Sequence, residues 1–337
     1  MIIQSQKRKS QKRKSQSLYL ETQDSEFSYS AYDVELLYNV LIYTMVKYKE
    51  IEHNVKFNPV KMKTGYPLAN DFTEAFTSFN NSSCMAVFGP SNSGKSTKLI
   101  QMFQKTHKDN KKRSSFYGLF DNIVLCSPSL HTIDEDDNVF KDLDPEFVFD
   151  EFNEDFLRNY YDLMNEQKAD YDALHAANID IKLKKMSKKA LKAMTHAEYK
   201  QLKKDCLPKE KPFNCLILDD VGNTIRDNKI LETLFNKLVC NRRHQGVCGT
   251  FIIMLLQNVK QIGPKVRSNL SHVLSLLPSG DEEKDLLYAF TGLPKKEKHE
   301  WFDQIYIAPR DNVFIDKFPK DSCHPAFYRN FNKLVPV

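Results

Sequence analysis

The side chains best suited to chemistry in this sequence lie in one short segment, GPSNSGKS, at positions 89–96. The segment fits the pattern GxxxxGK[ST] at every fixed position. In this pattern the glycines let the backbone turn tightly and point its N–H groups at phosphate oxygens, while the lysine reaches the β- and γ-phosphates and the last hydroxyl binds Mg²⁺. We therefore predict a site for ATP and Mg²⁺, with Lys95 as a catalytic group on the phosphates and Ser96 on the metal. The predicted nucleotide-binding residues are Gly89, Pro90, Ser91, Asn92, Ser93, Gly94, Lys95, Ser96 and Thr97.

The residues on either side of this segment provide the context that such a loop requires. The apolar run CMAVF at 84–88 predicts a strand before the loop, and 97–104 continues as a helix after it. The positive N-terminal end of that helix adds to phosphate binding. The alternative is a surface turn that matches the pattern by chance, and such a turn needs neither a strand nor a helix.

A pair of carboxylates follows another apolar run, NCLILDD, at 214–220. Hydrolysis of ATP needs a further ligand for Mg²⁺ and a group that orients the attacking water. We predict that Asp219 binds Mg²⁺, directly or through water, and that Asp220 polarises or positions the attacking water. The alternative for either aspartate is a structural one, in which its side chain caps the turn before Gly222.

The distance along the chain between the loop and the carboxylates indicates how the sheet is ordered. A complete strand, NIVLC at 122–126, and a long helical region separate the two motifs. This is expected when an additional strand lies between the strand of the loop and the acidic strand. The run TFIIMLLQ at 250–257 ends in Gln257, which we predict to be a catalytic polar sensor. The alternative is a glutamine that only satisfies the backbone of a loop.

The alternation of strands with helices predicts the fold class. A further strand is expected at 272–277, and apolar residues recur at helical spacing over 230–239. Alternating elements of this kind form a mostly parallel sheet covered on both faces. We therefore predict an α/β fold, a P-loop NTPase with a mostly parallel central sheet, helices on both faces and an additional strand.

The predicted domain organisation has three parts. Residues 1–30 form a basic tail, 31–290 an ATPase domain with a lysine-rich helical insertion at about 166–211, and 291–337 a C-terminal extension. In the extension, QIYIA and NVFID flank Pro309-Arg310-Asp311 and predict a short hairpin.

The basic residues are unevenly distributed in a chain whose net charge is only +5. The tail carries the repeat SQKRKSQKRKSQS, which is expected to be disordered and acts either as a nuclear signal or nucleic-acid contact, or as a solvated arm. The insertion presents either a DNA-binding surface or an ordinary solvated helical face. Its candidate DNA contacts are Lys184, Lys185, Lys188, Lys189, Lys192, Lys203 and Lys204.

Cysteine usage and hydropathy indicate an intracellular protein. The seven cysteines form no CxxC and no Cys/His pair at zinc-ligand spacing, so we interpret them as reduced thiols. No apolar region adequate for a signal peptide follows the basic N-terminus. The longest apolar stretch, 34–46, is too short and interrupted to span a bilayer, and we expect an amphipathic helix and no membrane partner.

Together these motifs resemble the FtsK–HerA superfamily, and within it the poxvirus-type DNA-packaging ATPases of large DNA viruses, virophages and polinton-like elements. The resemblance spans roughly residues 70–280. Its general part is VFGPSNSGKST, NIVLCSPS and ILDD, and its more specific part is the order of NRRH at 241–244, the strand that ends in Gln257, and IGPKVRSNLSHVLSL. The superfamily often has Asp-Glu where this chain has Asp219-Asp220, while a second Asp is found in the packaging branch.

The resemblance implies a ring-forming homo-oligomeric motor that moves double-stranded DNA of any sequence into a preformed capsid. It also implies a capsid or portal vertex protein as partner, and a location in the host nucleus, in a cytoplasmic virus factory or with the virion. A neighbouring subunit would supply an arginine to the transition state. Arg267 matches the family phrase and is the first candidate, while Arg242 and Arg243 are second candidates that could equally stabilise a helix end.

Other functions remain open at this point. A helicase or conjugation-type DNA pump is the nearest alternative. A nucleotide kinase also uses such a loop, but it needs several arginines in a lid, and this chain has few outside its tail. A non-hydrolysing switch protein is a further alternative, although both carboxylates and Gln257 favour turnover.

Overall fold

The computed structural model describes residues 48–51, 82–103, 116, 119–130, 138–208, 211–319, 322 and 324–336. The predicted basic tail at 1–30 and the predicted amphipathic helix at 34–46 lie outside the described residues. Residues Lys47–Val337 form one compact unit.

Among the described residues, ten strands form one sheet. They are β1 (Tyr48–Ile51), β2 (Cys84–Phe88), β3 (Asn122–Cys126), β4 (Val148–Phe149), β5 (Asn214–Asp219), β6 (Thr250–Leu256), β7 (His272–Leu276), β8 (Asn312–Asp316), β9 (Ala326–Arg329) and β10 (Asn332–Pro336). Their order across the sheet is β1-β10-β9-β8-β7-β2-β6-β5-β3-β4. The strands from β7 to β4 pair in parallel, and those from β7 to β1 pair in antiparallel.

The parallel half of the sheet confirms the predicted fold class. Every residue of β2, β5, β6 and β7 is buried, as expected for parallel strands that helices cover on both faces. The strand order β2-β6-β5 also confirms that an additional strand, the run that precedes Gln257, lies between the loop strand and the acidic strand.

The helices described are connected to these strands in alternation through most of the chain. They are α1 (Lys95–Phe103), α2 (Glu154–Lys184), α3 (Lys188–Ala193), α4 (His196–Asp205), α5 (Gly222–Asp227), α6 (Lys229–Asn241), α7 (Pro264–Asn269), α8 (Asp281–Tyr288) and α9 (Lys298–Ile305). Short 3₁₀ turns are found at Val139–Asp142, Pro145–Phe147, Arg242–His244, Val259–Gln261 and Lys295–Glu297.

The two faces of the sheet have separate hydrophobic cores. Met85 and Val87 pack with the apolar side of α1, while Ala86 and Phe88 pack on the other face with α2 and α6. This alternation follows from the two-residue period of a strand, which sends successive side chains to opposite faces. Helices therefore cover both faces, as predicted.

The helix α2 leaves the core after its first turns. Asn153 caps its start, since the side-chain Oδ1 accepts a hydrogen bond of 2.8 Å from the Phe156 N–H. Its buried side chains lie between Phe156 and Met164. The rest of α2, with α3 and α4, occupies the region predicted as a lysine-rich helical insertion, and His175 and Asn178 connect α2 to backbone carbonyls at the end of α4.

The predicted terminal hairpin between QIYIA and NVFID is wrong. Gln304 and Ile305 belong to α9, whose buried Trp301, Phe302 and Ile305 pack against the sheet, so helical packing overrides the apolar run. The antiparallel neighbours of β8 are β7 and β9. Within the predicted C-terminal extension at 291–337, β8, β9 and β10 continue the same sheet.

No helix among the described residues has an apolar stretch sufficient to cross a membrane.

Candidate nucleotide-binding site

The predicted site residues follow strands that end at one edge of the sheet. In the parallel ladders, Phe88 on β2 pairs with Leu256 on β6, and Asp219 on β5 pairs with Leu255. The residues after these strand ends are therefore brought to the same edge. In open α/β sheets this edge, beyond the carboxyl ends of the strands, is where ligands bind.

The backbone of the loop turns tightly at two residues with positive φ angles. Asn92 and Gly94 have positive φ angles of 61° and 95°. At Gly89 there is no room for a side chain, since a Cβ atom would lie 2.6 Å from Ser93 Oγ. The N–H of Lys98 donates to the Gly94 carbonyl at 2.9 Å, so the helix starts within the motif and its N-terminal end faces the loop.

Lys95 lies over the loop. Its Nζ donates hydrogen bonds to the carbonyl oxygens of Gly89, at 2.7 Å, and Pro90, at 3.0 Å. Partial burial lowers the pKa of this lysine, and the charges of Asp219 and Asp220 oppose that change. The lysine charge is thus held between the phosphate loop and the acidic strand end.

The Ser93 hydroxyl in the loop indicates that a phosphate fits there. Ser93 Oγ is buried, and the described residues give it no hydrogen-bond partner. A buried donor without a partner is unfavourable by about 1–3 kcal/mol. A phosphate oxygen would accept its proton. Ser96, half-buried in the first turn of α1, adds a hydroxyl of the type that binds Mg²⁺ in such loops.

Asp219 is the buried member of the acidic pair, with 9% of its surface exposed. Its Oδ2 accepts a hydrogen bond of 2.8 Å from Ser127 Oγ. Burial raises the pKa of Asp219, the Asp220 charge raises it further, and the Ser127 bond and Lys95 lower it. A buried carboxylate facing a lysine in this way has the chemistry of a magnesium ligand.

Asp220 is exposed and lies just after the strand in a left-handed conformation, with a φ angle of 54°. Gln257, the first residue after β6, donates a hydrogen bond of 3.0 Å from Nε2 to Asp220 Oδ1. The structure thus brings together the predicted sensor and the predicted water-activating group. Strain at a non-glycine residue is often found at functional sites.

Gln261 is a nearby residue that the sequence analysis missed. Its side chain is buried, and Oε1 accepts hydrogen bonds from the N–H groups of Gln257, at 2.6 Å, and Asn258, at 3.4 Å. Its Nε2 donates to Asn223 Oδ1 at 3.1 Å. Gln261 therefore connects the backbone of the sensor to α5, which follows the acidic pair. The spacing of Asn258 and Gln261 is a local capping-box signal that could have indicated part of this role, whereas the contact with Asn223 joins residues 38 positions apart.

Ser127 is the second residue that was missed. It follows β3, and the prediction gave the phrase NIVLCSPS no role beyond the resemblance. Cys126 on β3 pairs with Leu218 on β5, and Ser127 and Asp219 are the residues that follow them. The sequence therefore predicts that Ser127 and Asp219 are neighbours only when the order of the strands in the sheet is known.

The arginines predicted to act on the ATP of a neighbouring subunit have different environments. Arg267, half-buried on α7, donates from Nη1 to the carbonyl oxygens of Ile262 and Val259, at 3.1 and 3.4 Å. Arg242 is buried and donates from Nε to the Ser82 carbonyl at 2.5 Å and from Nη1 to the Val239 carbonyl at 2.8 Å. These bonds give Arg242 a structural role within its own chain, which agrees with the helix-end alternative.

The seven candidate DNA-contacting lysines of the insertion are all exposed. They lie on the distal part of α2, directly after it at Lys185, and on α3 and α4. The exposed Leu174, Ile181 and Leu191 lie in the same region. Whether they contact DNA remains a prediction.

The loop, the acidic strand end and the strand order define a P-loop NTPase of the additional-strand type. No protein-family model matches the sequence, and no curated protein matches it. Among solved structures, the chain is similar to the genome packaging NTPase B204 of Sulfolobus turreted icosahedral virus 2, with 14% identity and a TM-score of 0.38 over 71% of this chain and 94% of that one.

Two further ATPases are also similar in structure. The cytoplasmic domain of the type VII secretion ATPase EccC of Thermomonospora curvata shares 16% identity, with a TM-score of 0.39, over 83% of this chain and 28% of its own. ATPases 2 and 3 of EssC from Geobacillus thermodenitrificans share 14% identity, with a TM-score of 0.33, over 68% of this chain and 39% of their own.

Proposed function

We propose that this chain hydrolyses ATP at the carboxyl edge of its sheet and uses the free energy to move double-stranded DNA into a preformed viral capsid. The observation that carries the proposal is the convergence of a phosphate loop, a buried carboxylate and a carboxylate–glutamine pair at the ends of β2, β5 and β6. The packaging part is supported by the resemblance of the motifs and by the exposed lysines of the insertion.

The placement of the residues supports the following roles in binding. The loop N–H groups and Lys95 bind the phosphates of ATP, and Ser96 and Asp219 hold Mg²⁺. Mg²⁺ held there would neutralise the charge that develops on the phosphate oxygens. Lys95 provides a second positive charge beside the same oxygens, and it leaves the loop carbonyls to reach them.

Asp220 carries the water chemistry in this proposal. Its carboxylate accepts a hydrogen bond and then a proton from the attacking water, whose oxygen bonds to the γ-phosphorus as the bond from that phosphorus to the oxygen of ADP breaks. Gln257 fixes the direction of the Asp220 carboxylate through the 3.0 Å bond to Oδ1. Asp220 is exposed, which leaves its carboxylate accessible to water.

A ring of identical subunits would complete the site. Arg267 is our prediction for the positive charge that one subunit supplies to the ATP of the next, which would stabilise the transition state. In its own chain the same arginine holds the carbonyls of the turn that follows Gln257. A capsid or portal vertex protein is the expected further partner.

The proposed DNA contact is electrostatic, because a packaging motor must hold any sequence. The exposed lysines of the insertion would neutralise phosphates, and each neutralised phosphate makes binding more sensitive to salt. DNA binding should therefore weaken steeply as the salt concentration rises.

The test is the steady-state ATPase rate of the full chain with and without long double-stranded DNA, with Lys95→Ala and Asp220→Asn as inactive variants. We expect stimulation by DNA of any sequence, a loss of stimulation with salt, and no turnover in either variant. Turnover that ignores DNA but appears on addition of a nucleoside monophosphate would instead identify a nucleotide kinase. Binding of ATP without turnover under any of these conditions would favour a switch protein.

A further inference from the structure

The residue that follows β3 lies directly beside the predicted magnesium ligand. Cys126 on β3 pairs with Leu218 on β5, so the next residues along these parallel strands, Ser127 and Asp219, are neighbours at the edge of the sheet. Ser127 is fully buried, and its Oγ donates to Asp219 Oδ2 at 2.8 Å.

The direction of this hydroxyl is fixed by its other partners. Ser127 Oγ accepts hydrogen bonds from the backbone N–H groups of Leu130, at 2.9 Å, and Ser129, at 3.3 Å. A serine hydroxyl has two acceptor lone pairs and a single proton. Because both lone pairs face N–H donors, the proton is directed at the carboxylate of Asp219. The turn after β3 therefore holds a hydrogen-bond donor in a fixed orientation.

We propose that Ser127 is a positioning residue for the metal, and that its hydroxyl holds the Asp219 carboxylate in the orientation in which Asp219 binds Mg²⁺ together with ATP. This inference rests on the proposed function. Hydrogen bonds to a ligating carboxylate orient it, and removing such a partner typically lowers metal affinity or activity about 10- to 100-fold.

A merely structural role for Ser127 predicts a different result. If the hydroxyl only closes the turn at 127–130, its loss lowers stability but leaves the affinity for metal unchanged in the molecules that remain folded. Measuring metal affinity directly, beside thermal stability, separates the two roles.

The experiment uses the full chain as wild type, Ser127→Ala and Ser127→Cys. Alanine leaves the Leu130 N–H without its acceptor, and some loss of stability is expected. Cysteine is slightly larger than serine and has a weaker donor and acceptor, so it provides a second variant in which the contact is weakened rather than removed. Ser129→Ala is the matched control in the same turn, since the Ser129 contact with Ser127 uses the backbone N–H, which alanine retains.

Two affinities are measured for each protein. A fluorescent ATP analogue is titrated in EDTA, which reports the phosphate loop alone. Mn²⁺ is titrated with ATP in the presence and absence of the protein and followed by its electron paramagnetic resonance signal, so that the Mn²⁺ bound by ATP alone is subtracted. We expect Ser127→Ala to bind the analogue in EDTA like wild type but to bind Mn²⁺ about 10- to 100-fold more weakly, with Ser127→Cys between the two. The Mg²⁺ concentration needed for half-maximal ATPase should rise in parallel, and Ser129→Ala should match wild type in both titrations.

Equal Mn²⁺ affinity in wild type and both Ser127 variants would overturn the inference while leaving the proposed function intact. Wild type that binds neither the analogue nor Mn²⁺ with ATP would overturn the proposed function itself. A weaker binding of the analogue in EDTA by both Ser127 variants would also overturn the inference, because it would place Ser127 with the phosphate loop.

Discussion

The substitution Gly222→Ala tests whether the contact between α5 and the Gln257 turn controls the site. A Cβ atom at position 222 would lie 2.5 Å from Cδ and 2.7 Å from both Cβ and Oε1 of Gln261. Rotation of the glutamine side chain would relieve the contacts with Cδ and Oε1. The contact with its Cβ remains, so the 3₁₀ turn Val259–Gln261 must also shift. That turn holds the Gln257 N–H through the 2.6 Å bond to Gln261 Oε1.

The size of the effect follows from these contacts. Overpacking of a well-packed site costs roughly 1–3 kcal/mol. Loss of the bonds from Gln261 to Gln257 and Asn223 adds about 0.5–1.5 kcal/mol each. The gain from alanine over glycine in a helix offsets about 0.5–1 kcal/mol. These terms sum to a net loss of about 1–5 kcal/mol in the free energy of unfolding. At about 1.6 °C per kcal/mol for a folded unit of this size, Tm should fall by roughly 2–8 °C.

The assay combines thermal unfolding with the ATPase rate at a temperature where the variant is folded. Displacement of Gln257 should lower kcat by about 10- to 100-fold, since a shift of about 1 Å in a catalytic group has effects of this size. Gly280→Ala is the matched control, because no atom lies within 4 Å of the added Cβ. A Gly222→Ala protein with the stability and kcat of this control would refute the reasoning.

Three further predictions address other residues. Replacing the buried Arg242 with Met should lower the free energy of unfolding by about 2–4 kcal/mol, because two charge-assisted bonds to carbonyls are lost. In the same denaturant titration, Arg243→Met at an exposed position should change this free energy by less than about 0.5 kcal/mol. Equal effects of the two substitutions would contradict the structural role of Arg242. Burial lowers the pKa of Lys98 from 10.5 to about 8, so as the pH rises Lys98 loses its proton in the folded chain before it does so in the unfolded chain. The free energy of unfolding of wild type should therefore rise by about 2–3 kcal/mol relative to that of Lys98→Met between pH 7 and pH 10. A difference between the two proteins that does not change with pH would show that the pKa of Lys98 is not lowered. If Arg267 acts on the ATP of a neighbouring subunit, a mixture of Arg267→Ala and Lys95→Ala chains should recover part of the DNA-stimulated ATPase that neither has alone, and no recovery at any ratio would count against a shared site.

The parts of the site that the sequence predicted are those built by contiguous residues. The loop at 89–96 was recognisable because its glycines, lysine and serine have fixed spacing, and Asp219 and Asp220 because they end an apolar run. The additional strand was predicted from the length of chain between these motifs, and the order β2-β6-β5 confirms it. Their catalytic roles remain predictions that the experiments above test.

The errors and omissions have a common origin in long-range packing. QIYIA is apolar enough to be taken for a strand, but α9 forms there because its aromatic side chains fit the face of the sheet. Arg242 could not be distinguished from Arg243 by type or spacing. The structure buries Arg242 against the Ser82 carbonyl, which lies 160 residues away in the chain, and leaves Arg243 exposed.

The sequence by itself determined which residue types are available for phosphate and metal chemistry, since the conformation of the loop and the polarity of strand ends are local properties. Only the tertiary structure decided which of these groups meet. Ser127 reaches Asp219 across 92 residues, and Gln257 reaches Asp220 across 37. Both contacts exist because parallel strands align their carboxyl ends at one edge, and the register of the strands, rather than any local pattern, selects the partners.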